Sequence, residues 1–158
     1  MSRLYIAYGS NLNVTQMSRR CPTAKVYGIG FLNNWELIYR GSKTGAYATI
    51  QRKKGSLVPI VVWEIEKADE KNLDIYEGFP TFYFKQSVMV SLPQGKKKAM
   101  LYIMDTKRLP GRPNQRYIDT IHEGYIDNDL DLKYLEESLL LNEAELKKAP
   151  SMIAGTPL

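Results

Sequence analysis

The 158-residue sequence has one cysteine, Cys21, and one histidine, His122. A lone cysteine excludes an internal disulfide and a metal centre built from several thiolates. The single histidine, with no Gly-x-Ser-x-Gly elbow anywhere in the chain, gives no support to a serine-type triad. No histidine–carboxylate cluster has metal-ligating spacing, so no metal and no cofactor are assigned. Long apolar runs are also missing, and nothing approaches the roughly 20 residues a membrane span needs. No charged-then-apolar leader precedes the first strand pattern. These absences together predict a cytoplasmic protein with no membrane partner.

What is present is ordinary for a globular protein. Hydrophobic residues make up 44% and charged residues 25% of the chain, and the length suits one domain with a sizeable core. The net charge of +5 invites a nucleic-acid reading. The basic runs are dispersed, however, in "QRKKG" (Arg52–Lys54), "GKKKA" (Lys96–Lys98) and "TKRLPGR" (Lys107, Arg108, Arg112). The lysines read as solvated loop charges and the aromatics as strand residues, so the interleaving that single-stranded nucleic acid needs is absent. No nucleic-acid partner is expected, and the sequence sets no oligomeric state.

The pattern of elements is α+β, with a mainly antiparallel sheet or small barrel. "LYIAY" alternates as a strand, and "NVTQMSRRCP" is a short helix stopped by Pro22. "AKVYGIGFLNNWELIYR" is one bent strand or two, with Gly28 and Gly30 marking a bulge. Its "GIGFLN" lacks the third glycine of a dinucleotide loop and runs on as strand. "GSKTG" is a polar loop. "AYATIQRKKG" is a strand and turn, and "SLVPIVVWEI" a second strand with Pro59 at an edge or bulge. "EKADEKNLDIYEGFP" is a short helix stopped by Gly78 and Pro80. "FYFKQSVMVSL" and "KKAMLYIMD" form a hairpin across "PQGK". Two helices divided near "GYIDND" follow. Residues 1–148 are read as one domain and 149–158 as a loosely ordered tail.

Two stretches carry candidate chemistry. In "YIAYGSNL" the first strand stops on Gly9, Ser10 and Asn11 and leads toward a helix N-terminus, which makes an anion site from unpaired backbone N–H groups. Glu77 sits between Tyr76 and Gly78 with "FPTFYF" close behind. Aromatic surroundings desolvate a carboxyl and raise it above its usual ~4.3, where it can exchange protons near neutral pH. Glu64, Glu66 and Glu70 read as solvated charges. Cys21, with no partner base, reads as a buried or incidental residue. His122 lies in a helix, two before Gly124, and is given no catalytic role.

"YGSNL" at 8–12, "LDIYEGFPTFYFK" at 73–85 and "PNQRYIDTIHEGY" at 113–125 follow one another as in the γ-glutamylcyclotransferase-like proteins, which the chain resembles from about residue 3 to residue 140. The resemblance implies a small mixed, mainly antiparallel β-barrel flanked by helices with an active pocket in it, and an enzyme acting on a small γ-glutamyl substrate. It implies that Tyr8, Gly9, Ser10, Asn11 and Leu12 bind the γ-glutamyl moiety, that Glu77 is the general acid/base, and that Tyr83 and Tyr117 are pocket tyrosines. The implied reaction releases 5-oxoproline by intramolecular attack of the α-amine on the γ-carbonyl. The leaving group is an amino acid or an amine. A non-catalytic member of the fold that binds small ligands is the alternative. The chain departs from the family pattern at Asn114, where many relatives carry Ser, and at Pro59–Ile60, where many carry Gly.

Overall fold

The computed structural model describes residues 2–42, 45–105 and 107–148. The expected tail at 149–158, and two residues of the polar loop at 41–45, lie outside them. Strand β1 (Arg3–Ala7) leads through a single 3-10 turn (Ser10–Leu12) into helix α1 (Val14–Arg20). Two long strands, β2 (Lys25–Ser42) and β3 (Gly45–Ile65), precede helix α2 (Lys67–Glu77). Strands β4 (Phe84–Leu92) and β5 (Gly95–Ile103) precede helices α3 (Gln115–Asp127) and α4 (Leu132–Lys148). The strands close a barrel in the order β1-β3-β2-β4-β5. All pairs are antiparallel except β1 with β5, which run parallel through Tyr5 and Met100. Among the described residues no helix is long and apolar enough to cross a membrane.

The β2–β3 hairpin differs from the expected two-strand reading of 46–65. The stretch Arg52–Ser56 looks like a turn locally, yet β3 runs through it as one strand of 21 residues. The bend is taken up on both partners. Asn34 on β2 adopts φ 65° and Gly55 on β3 adopts φ 86°, and the Gly55 amide donates to the Asn34 side chain at 2.9 Å. Pairing shifts register here and then continues, so the would-be turn is a bulge. A second shift falls between Val26 and Gly28, as Gly28 predicted. Pro59 pairs with Phe31 of β2 just beyond the reach of β1, whose pairing begins at Val61. It therefore lacks a partner on its other side, as an edge proline should.

Helix α2 carries Glu77 as its last residue, and its ends are closely specified. Glu66 and Asp69 form a capping box at the start. At the end Gly78 takes φ 64°, while the Gly78 and Phe79 amides donate back to Ile75 and Asp74 carbonyls. This is a Schellman stop, which favours glycine because the left-handed backbone carries no Cβ penalty there. A cis Phe79–Pro80 bond follows. Glu70 pairs with Arg3 and Lys85, at 2.7 and 2.6 Å, and Lys85 also pairs with Asp74. Tyr102 of β5 donates to Asp74 at 2.5 Å. The solvated reading of Glu70 is thereby corrected, since it ties α2 to the barrel, while Glu66 is exposed as expected and caps the helix.

Helices α3 and α4 divide within and just after "GYIDND", as expected, and Gly124 lies inside the last turn of α3. A Cβ on Gly124 would stand 2.7 Å from the Asn13 amide nitrogen and the Leu12 Cβ, so the glycine lets the helix press on the chain just after the first turn. Asn128 donates to the Leu12 carbonyl at 2.7 Å, and Asn13 donates to Thr120 and Glu123 of α3.

Candidate active site

A pocket of about 550 Å³ opens at the end of the barrel where β1 and β5 finish. It falls within the range of small-molecule sites. Its walls come from distant parts of the chain: the Tyr8–Asn11 turn, Tyr47 and Ala48 at the start of β3, the last turn of α2, and Tyr117 of α3. Glu77 is the sole carboxylate among its described lining residues.

Glu77 is half-buried as a residue, but its carboxyl is enclosed by the pocket. Burial pushes it up to about 7, against a smaller opposing pull from Arg20. Its place at the C-terminal end of α2 acts in the same direction as burial, because the helix dipole disfavours negative charge there. The desolvating rings are mostly not those adjacent in sequence. Phe79 and Phe84 are exposed, while Tyr5, Tyr8, Tyr83 and Tyr117 converge on the carboxyl from β1, the turn after it, the approach to β4, and α3. Burial is the leading cause that holds all four hydroxyls protonated well above their ordinary value.

Hydrogen bonds fix the frame. Asn11 donates through Nδ2 to the Tyr5 hydroxyl at 2.8 Å and to Glu77 Oε1 at 3.3 Å. Its Oδ1 accepts from Arg20 Nη1 at 2.6 Å, and its backbone carbonyl accepts from the Trp63 indole at 3.1 Å. Ser10 Oγ and the Tyr76 hydroxyl are 3.1 Å apart. The Tyr8 hydroxyl donates to the Tyr102 carbonyl at 2.6 Å. Tyr83 donates to the Ala48 carbonyl at 2.7 Å, and Tyr117 accepts from the Ala48 amide at 3.0 Å. These two tyrosines thus satisfy both backbone groups of Ala48 on β3. Asn114 caps α3 by accepting from the Tyr117 amide at 2.8 Å, so the departure from Ser keeps an N-cap residue at the same place.

The structure brings Tyr8, Gly9, Ser10, Asn11, Glu77, Tyr83 and Tyr117 together. Leu12 does not join them. It is fully buried in the core and does not line the pocket, and its amide closes the turn on the Gly9 carbonyl. The expected binding turn, Gly9 to Asn11, lines the pocket, while the start of α1 just beyond it is capped. Asn13 caps α1 by accepting from the Gln16 amide, and Asp127 accepts from the Val14 amide. The first turn of α1 is therefore capped from within and from α3. Gly9 has an ordinary φ of −124°. Its value is spatial, since a Cβ there would lie 3.2 Å from the Ala48 Cβ and 3.5 Å from the Tyr117 hydroxyl.

Cys21 is buried, its thiol pushed up to about 12 chiefly by burial, and His122 lies exposed on α3. Among the described residues no group of three or more His, Cys, Asp or Glu side chains could hold a metal ion. Sequence reading missed Arg20, Tyr5 and Tyr76.

The sequence profile of the family described as "Gamma-glutamyl cyclotransferase, AIG2-like" matches residues 5–125. The chain is 32% identical over 144 residues to the Gamma-glutamylcyclotransferase of Homo sapiens, covering 86% of this chain and 77% of that one. It is 33% identical over 141 residues to the Bos taurus protein of the same name, covering 84% and 75%. A solved structure titled "Gamma-glutamyl cyclotransferase" superposes with a TM-score of 0.76 at 30% identity, covering 87% of this chain and 86% of that chain.

Proposed function

Because this chain belongs to the γ-glutamyl cyclotransferase, AIG2-like family of enzymes, we propose that it releases 5-oxoproline from a γ-glutamyl amide or γ-glutamylamine, with Glu77 as the single general acid/base. The observation that carries this reading is a lone pocket carboxyl held near neutrality, at about 7, by burial. An acid/base with its pKa near the working pH gives the best compromise between availability and driving force.

The substrate brings its own nucleophile. Its α-amine has a pKa of about 8, so most of it starts as ammonium at pH 7. Glu77 accepts one proton, and the freed amine adds to the γ-carbon to form a five-membered ring. The N–H groups at the start of the 3-10 turn face either the oxyanion or the substrate α-carboxylate. As the old C–N bond breaks, Glu77 returns its proton to the departing nitrogen. The second ammonium proton, shed on ring closure, also ends there. The products are 5-oxoproline and an ammonium ion. Holding the folded-back conformer is the remaining task, one to which enclosed pockets are suited.

The test is a panel of γ-glutamyl amino acids and γ-glutamylamines assayed for 5-oxoproline. Release from at least one member, with the leaving group identified, supports the reading. No release from any member, with ligand binding intact, favours the non-catalytic alternative.

A further inference from the structure

Arg20 has no place in the reaction just described, yet its side chain is committed in three directions. Nη1 donates to Asn11 Oδ1 at 2.6 Å, Nη2 donates to Gln16 Oε1 at 2.7 Å, and the guanidinium lies 3.4 Å above the Tyr76 ring. Its backbone carbonyl accepts from Asn72 of α2 at 2.9 Å. The Tyr76 hydroxyl in turn meets Ser10 of the turn. Arg20 is therefore a joint between the binding turn and the helix end that carries Glu77.

The chemistry of the joint is directional. A guanidinium only donates, so it accepts nothing from Asn11 and dictates that the amide oxygen faces it. The Asn11 NH2 must then face the other way, where it donates to Tyr5 and to Glu77 Oε1. Without Arg20 nothing forbids the opposite amide orientation, which sets a carbonyl oxygen against the carboxyl and suits only its protonated form. We propose that Arg20 is a positioning residue that acts through Asn11: it locks the amide so that an N–H donor, not a carbonyl, meets Glu77 and keeps it ready to accept the substrate proton.

This inference rests on the role proposed for Glu77 above. Arg20 is the only charge acting on that carboxyl among the described residues. The other titratable groups facing it are Tyr5 of β1, Tyr8 beyond it, Tyr83 ahead of β4 and Tyr117 of α3, all held neutral by burial. Tyr76 precedes it on α2.

The experiment is an NMR titration of the Glu77 carboxyl carbon in the wild type, Arg20→Gln, Asn11→Ala and the double variant, with the pH profile of kcat measured beside it. Arg20→Gln should move the Glu77 titration up by about one pH unit. The acid limb of kcat should move with it while KM stays within roughly twofold. In the Asn11→Ala background the same substitution should shift Glu77 by less than half as much. Arg20→Lys, which keeps the charge and one donor, should fall between wild type and Arg20→Gln. Should Arg20→Gln fail to fold, Arg20→Lys decides in its place, because loss of the fork must still leave a measurable upward shift. The titration needs no substrate, so a wild type that forms no 5-oxoproline sinks the proposed reaction without touching this test. An unmoved Glu77 titration in the folded variant, or a shift of equal size with and without Asn11, overturns the role proposed for Arg20.

Discussion

Glu70 and Glu77 lie two turns apart on the same helix, and the fold treats them in opposite ways. Glu70 loses some solvation, but hydrogen bonds and charge from Lys85 and Arg3 outweigh that loss and hold it below its ordinary value. Glu77 is more enclosed and is opposed only by the weaker pull of Arg20, so desolvation wins and pushes it up to about 7. Direct pairing makes one carboxylate a tether between α2, β1 and β4. Indirect pairing leaves the other free to gain and lose a proton. The same helix thus carries a structural acid and the candidate catalytic one, and the difference is whether a cation touches the carboxylate.

Glu77→Gln should break the comparison most sharply. Glutamine keeps the shape but cannot carry the proton, so turnover should fall by roughly 10²–10⁴-fold while the substrate still binds. Full 5-oxoproline release by this variant removes Glu77 from the mechanism.

The same variant should raise stability at alkaline pH. A carboxyl with a raised folded value contributes stability fully below its unfolded value and loses that contribution as pH rises through the folded one, here between about 4.3 and 7. At pH 8 the wild type carries that cost and Glu77→Gln does not. Denaturant melts should show the variant more stable by on the order of 2 kcal/mol at pH 8 and nearly equal to wild type at pH 4.

Tyr83→Phe tests whether the ring or the hydroxyl matters to the pocket. The hydroxyl bonds the Ala48 carbonyl, so its loss orphans a buried acceptor and should cost about 1.5 kcal/mol of stability. Substrate affinity that stays constant while stability falls assigns this tyrosine to the frame of the pocket.

Glu70→Gln should be milder and opposite in pH dependence. A depressed carboxylate contributes above its unfolded value and loses that contribution as pH falls through the folded one. The variant should therefore be less stable than wild type by about 1 kcal/mol at pH 7, and the gap should close below about pH 4. Turnover should change little. Glu64→Gln, away from the pocket, should sit near zero in both readouts. A Glu70→Gln variant that matches Glu77→Gln in activity loss removes the distinction drawn between the two acids.

Much of this architecture follows from local signals in the chain. Alternation marks β1, β4 and β5, because side chains in a strand point to opposite faces at every step. The stop of α2 follows from Gly78 and Pro80, and the α3 start from Asn114, because capping chemistry depends on a few adjacent residues. Glu77 was singled out by its motif and its aromatic neighbours, and the barrel by resemblance to a family. Local signals failed where a partner strand or a distant helix decided the outcome. Arg52–Ser56 reads as a turn until Asn34 across the sheet absorbs the bend. Leu12 belongs to a binding motif by sequence, yet packing turns it into the core. The parallel closure of β1 on β5 and the arrival of Tyr5 beside the Glu77 carboxyl are also invisible in sequence, since they join residues roughly 70 to 95 positions apart. The sequence alone determined which segments are strands, helices and stops, because those depend on near neighbours. Only the tertiary structure decided which carboxylate loses its water and which finds a cation, because burial and pairing are properties of the assembled barrel.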